Sequence, residues 1–146
     1  MVVRFFSAIG WITVMFSFAV FMIAYANFPD EVLVNVNKLG EPLHYLSKSS
    51  LFYILIAFLV LFNASLVGLK GILKNQSAYS DWSQTGLHIT QIFFNLFFAS
   101  SVYFFNIINS RENFNYSNFG YLIFVTGILL VISVVFTLVA RLVIKK

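Results

Sequence analysis

The side chains best suited to chemistry in this sequence are few and scattered. Asp81 and His88 lie near Ser77, Ser80 and Ser83, which are the residue types of an orienting acid, a base and a nucleophile. Their spacing fixes no order among them and the surrounding stretch is polar throughout, so they read as a composition and not as a catalytic group. His44 and His88 fall in different connections of the chain, whereas haem or zinc sites need two or more convergent ligands, and no such set exists here. Cysteine is absent, which removes disulfides, thiolate metal sites and catalytic thiols. "GLKG" at 68–71 lacks the spacing of a phosphate-binding loop. The residues therefore point to a non-enzymatic protein without a cofactor.

The elements that carry these residues are set by hydropathy. The 146-residue chain is 60% hydrophobic and 10% charged, a composition far from that of a water-soluble domain. Runs free of Asp, Glu, Lys and Arg extend over Phe5–Ala26, Leu51–Leu69, Ile89–Ile108 and Phe119–Ala140. Each is close to the roughly 20 residues that a helix needs to cross a bilayer. They are continuously apolar, which argues against the alternating strands of a membrane β-barrel. The expectation is an all-α integral membrane protein: one domain, 1–146, with four transmembrane helices over about 5–26, 51–73, 88–108 and 119–144. Short connections force neighbours to be antiparallel, giving an up-down-up-down bundle.

A net charge of +4 would suggest nucleic acid in a soluble protein, but beside a bilayer the position of each cation matters more. Arg4, Lys70, Lys74, Arg141, Lys145 and Lys146 fall at one set of helix ends. Lys38, Lys48 and Arg111 fall at the other, balanced by Asp30, Glu31, Glu41 and Glu112. The positive-inside rule then places both termini and the 70–88 connection in the cytoplasm and the 27–50 loop outside, with no nucleic-acid partner. Arg4, the first apolar run and "AYA" at 24–26 also have the layout of a cleavable signal peptide; the run is longer than a usual signal core, so retention is the expectation.

Between helices in lipid, stripes of small and hydroxyl residues make the closest contacts. The first run offers Gly10, Thr13, Ser17 and Ala24; the second Ala57, Ala64, Gly68 and Gly71; the fourth Thr126, Ser133, Thr137 and Ala140. The third differs, because Gln91, Asn95 and Asn106 recur at helical spacing on one face that should avoid lipid. Asn63 and Asn95 both lie roughly 10 Å deep from the cytoplasmic side, so they should hydrogen-bond across the hairpin. The spans carry no ionisable group near their centres and no proline, which disfavours pumps and midplane transport sites. Of the Asn-x-Ser/Thr patterns at Asn63, Asn75 and Asn115, only Asn115 falls on the outer side.

In the outer loop, Val32, Val34 and Val36 alternate with Leu33, Asn35 and Asn37, the period of a strand with one apolar face. "NKLGEP" reads as its turn, with Gly40 free to take positive φ and Pro42 ending the strand. A lone strand must find a partner.

"FPDEVLVNVNKLGEPLHYLSKSS" between two membrane helices resembles the membrane domain of unknown function that begins SdpI-like bacterial proteins. Pro29, Asp30, Asn37, Gly40, Pro42, Ser47 and Lys48 fall in register, and Leu33, Asn35 and Leu43 replace the usual proline, histidine and aspartate. The likeness covers about residues 10–65. It implies a multi-pass protein of the bacterial inner membrane, tied in known members to toxin immunity and signalling, with Pro29, Asp30, Asn35, Asn37, Gly40 and Lys48 as the candidate outer site.

Three functions follow. The favoured one is an accessory subunit of an inner-membrane complex, whose partners are the lipid bilayer and other membrane subunits. The second is an SdpI-like immunity or sensor protein that binds a ligand through its outer loop. The third is a small carrier or flippase for a lipid-like substrate.

Overall fold

The computed structural model of the chain describes residues 2–37, 41–74, 81–110 and 116–143. Four helices, α1 (Val2–Asn27), α2 (Lys48–Lys74), α3 (Asp81–Asn109) and α4 (Tyr116–Val143), are long and apolar enough to cross a membrane. Between α1 and α2 stands an antiparallel hairpin, β1 (Glu31–Val36) and β2 (Pro42–Ser47).

α3 sits at the centre. It is the least hydropathic of the four and the most buried. The two facts have one cause: Ser83, Thr85, Thr90, Gln91, Asn95 and Ser100 cannot face hydrocarbon cheaply, so the more apolar helices cover them. α1 supplies Gly10, Thr13, Ser17, Phe21 and Ala24, a buried stripe at 3–4 residue spacing. Along it, Gly10, Ser17 and Phe21 meet Gln91, Asn95 and Phe98 in that order. α4 packs on another side, where Thr137 lies against Gly86 and Thr90, and Phe97 against Gly127.

α2 attaches differently. Its contacts are aromatic at Phe52, which stacks on Phe21 at 5.4 Å, and at Phe62, which stacks on Phe94 at 3.5 Å. Its small stripe of Ala57, Ala64, Gly68 and Gly71 is exposed, unlike the stripe of α1. An added Cβ on Gly68 or Gly71 would meet nothing within 4 Å.

α3 begins at Asp81, seven residues before the start near 88 expected from hydropathy. Ser83, Thr85 and Gly86 read as loop by polarity, yet they are buried and Gly86 packs on Thr137. Asp81 lies in the first turn, where a carboxylate favours the helix dipole. α2 begins at Lys48 because Ser47 caps it, its Oγ accepting from the Ser50 amide at 3.2 Å.

The hairpin corrects the reading of the outer loop as one strand and makes the architecture four helices plus a two-stranded sheet. Pro42 does not end a strand; it opens β2 opposite Val36, a position where its missing N–H is tolerated. β2 carries Leu43, His44 and Tyr45 without a clean alternation of burial, which is why the sequence pattern conceals it. Val32 is fully buried and Val34 packs beside it, joining Phe21, Phe28, Leu51, Phe98 and Val102 in the main core. Gly40 and Lys38 lie outside the described residues, as do Asn75, Ser77, Ser80 and Asn115.

Candidate functional site

A line of polar side chains runs through the contact of α2 and α3. Asn63 Nδ2 donates to Asn95 Oδ1 at 3.1 Å, and Asn95 Nδ2 returns a bond to Asn63 Oδ1 at 3.3 Å. Gln91 Nε2 donates to the same Asn63 oxygen at 3.1 Å. Lys70 Nζ donates to Gln91 Oε1 at 2.8 Å and meets His88 Nδ1 at 3.0 Å. An ammonium only donates, so Nδ1 accepts and this imidazole is neutral. Ser17 of α1 ties in the deep end, its Oγ donating to the Asn95 carbonyl at 2.8 Å. Asn95 is fully buried and Gln91 nearly so, and every buried side-chain polar atom among the described residues has a partner.

Helical spacing builds this line. Asn63 and Lys70 are seven residues apart on α2, and His88, Gln91 and Asn95 step by three and four on α3, so each set shares a face. Gly10 makes room for it, because a Cβ there would come within 3.2 Å of Gln91 Oε1. The structure therefore brings Asn63, Gln91 and Asn95 together. Asn106 stays half-buried more than two turns away, outside the cluster. Gly68 closes no helix contact among the described residues; it lines an open cleft of about 730 Å³ between α1 and α2, together with Trp11, Met15, Leu59, Asn63 and Ala64. Phe58 and Phe62 hold α2 against Phe94 of α3, while α2 meets α1 through Phe52 on Phe21 and Tyr25, beyond the cleft.

Two members of the line, Lys70 and His88, read in the sequence only as residues of helix ends. Their spacing to Asn63 and Gln91 was the available signal. The imidazole of His44 is in β2, paired opposite Asn35, and shares no site with His88. Among the described residues no group of three or more His, Asp or Glu converges on a possible metal position.

At the other end of the bundle the hairpin is clamped to the helices. Asn109 reads the free edge of β1: its Oδ1 accepts from the Leu33 amide at 2.8 Å and its Nδ2 donates to the Leu33 carbonyl at 2.8 Å. Lys48 closes the base, with Nζ on the Phe28 carbonyl at 2.8 Å, 5.0 Å from the centre of the Tyr25 ring, and its amide on the Asp30 carbonyl. A cation there also complements the carboxyl end of α1. Asn37 and Glu41 bind each other across the loop through Nδ2 to Oε2 at 2.7 Å and the Glu41 amide to Oδ1 at 2.9 Å. Pro29, Asp30 and Asn35 are exposed. Thus Asn37 and Lys48 hold the loop's shape, whereas Asp30 and Asn35 face outward. Asn109 was missed, although it continues the Asn95 and Asn106 face by one helical step.

No family model, curated protein or solved structure matches the chain.

Proposed function

We infer that the protein is a non-enzymatic accessory subunit of a membrane complex, and that its hairpin is a rigid platform for a partner subunit outside the bilayer. The observation that carries this reading is the contrast within the hairpin. β1 is fixed by Val32 in the core and by Asn109 on its edge, whereas β2 leaves Leu43 59% and Tyr45 50% exposed. Large apolar groups on the open-edged strand of a clamped hairpin suit a protein partner through strand pairing or side-chain docking.

The topology of this reading is up-down-up-down with both termini cytoplasmic. The ordered pairs Gly10 with Gln91 and Phe21 with Phe98 support parallel α1 and α3, while Thr137 against Gly86 and Phe97 against Gly127 support an opposed α4. α3, at 29 residues, is about 43 Å long, which matches hydrocarbon plus headgroups and supports an interfacial position for the Asn109 clamp. The cation asymmetry supports the same orientation, and the SdpI-like resemblance supports a bacterial inner membrane.

A second reading, an SdpI-like immunity or sensor protein, draws on the ladder irregularity around Asn35. Asn35 stands opposite His44 between two register shifts, and such bulges re-aim side chains at binding sites. The pair would face a ligand.

A photo-crosslinking residue placed at Tyr45 or at Tyr53 in native membranes tests the platform. Tyr45 is expected to capture one protein in stoichiometric yield and Tyr53, exposed at 69% on α2, to capture lipid. Capture of lipid or nothing from Tyr45 contradicts the reading.

A further inference from the structure

The cleft between α1 and α2 ends at a cation whose partners among the described residues are neutral, and we propose that it holds one acyl chain of an anionic glycerophospholipid, with the phosphate met by Lys70 and Arg4. The site is independent of the hairpin and goes beyond the accessory role.

Its length fits an acyl chain. From Ile56 to Gly68 the cleft follows twelve residues of α2, or about 18 Å. One leaflet contributes about 15 Å of hydrocarbon. The cleft is open on one side and offers about 730 Å³ along that length, and its walls are apolar apart from Asn63. Gly68 and Ala64 keep it open.

Its charge selects the headgroup. Lys70 lies two residues beyond Gly68, and its ammonium is held by the neutral amide of Gln91 and the neutral imidazole of His88, leaving a third donor. α1 and α2 contain no acid, and Asp81 is an exposed residue about 10 Å before His88 along α3. A half-buried cation without an anionic partner among the described residues favours an anion from outside the chain. Arg4 is exposed seven residues before Trp11, on the same face of α1, at the level expected for phosphates.

Native mass spectrometry of the full chain in mild detergent, with phosphatidylglycerol and phosphatidylcholine of identical acyl chains, tests the site. One phosphatidylglycerol per chain should be retained at least about fivefold over phosphatidylcholine, the factor expected for a single basic contact. Lys70→Gln should lower the preference severalfold, Lys70→Arg should keep it, and Gly68→Phe should fill the cleft and abolish retention of both lipids. If Gly68→Phe does not fold, Lys70→Gln against Lys70→Arg decides. Equal retention of the two lipids, an unchanged ratio in Lys70→Gln, or a Gly68→Phe variant that folds and retains phosphatidylglycerol overturns the proposal. Loss of a protein partner with lipid retention unchanged would assign the cleft to a helix instead.

Discussion

Asn63 and Asn95 face each other across α2 and α3 as a reciprocal amide pair, 3.1 Å in one direction and 3.3 Å in the other. The pair helps to hold the one helix whose small stripe is unpacked, beside the rings of Phe52, Phe58 and Phe62, the buried Leu51, Leu55 and Leu59, and the bonds of Lys70. An interhelical hydrogen bond in lipid contributes about 0.6 kcal/mol on average and less than about 2. Asn63 also accepts from Gln91, so Asn63→Leu is expected to lower stability by about 1–2 kcal/mol in detergent unfolding. An unchanged unfolding midpoint would refute the pairing as a stabilising contact.

Glycines on α3 and α2 should respond in opposite ways. A Cβ on Gly86 would lie 2.7 Å from Thr137 Oγ1 and 3.2 Å from the Thr137 Cα, and backbone cannot move aside as a side chain can. Gly86→Ala is therefore expected to destabilise by about 1–3 kcal/mol, the usual cost of overpacking. Gly68→Ala meets nothing within 4 Å and should be neutral or slightly stabilising through helix propensity. Thermal unfolding of the two variants side by side checks the contrast.

Asn109 should govern the hairpin without governing the bundle. Asn109→Ala removes both bonds to Leu33 and exposes the edge of β1. Hydrogen exchange at the Leu33 amide is expected to quicken about tenfold, from the loss of roughly 1–2 kcal/mol of local bonding, while helix amides keep their protection. Loss of protection along α3 would show that Asn109 serves the helix and not the strand.

Much of this was legible before the fold, for a physical reason. Lipid exposure demands long uncharged runs, so Phe5–Ala26 or Phe119–Ala140 could be little other than spans. Asn63 and Asn95 were legible because helix geometry fixes depth and face from residue number alone. β2 was not, because a partly exposed strand of Pro42 to Ser47 carries no alternation to read. The early start of α3 was hidden for the converse reason: Ser83 and Thr85 are polar yet buried, and Gly86 beside them packs on Thr137 of α4. Lys70 was assigned to the interface by its charge, although its long stem carries the ammonium inward to Gln91.

Lys48 closes the base of the hairpin through one carbonyl and one ring. Lys48→Gln should cost about 1 kcal/mol and loosen the Phe28–Asp30 turn, seen as faster proteolysis in the outer loop. Lys48→Arg should retain most of the protection; equal cleavage of all three proteins would contradict the role.

The most direct test of the subunit assignment is the mass of the particle released from native membranes by mild detergent. A stoichiometric complex larger than a homodimer is expected, reduced to the free chain when Leu43 and Tyr45 are both replaced by serine. A wild-type particle with the mass of a monomer or homodimer would contradict it.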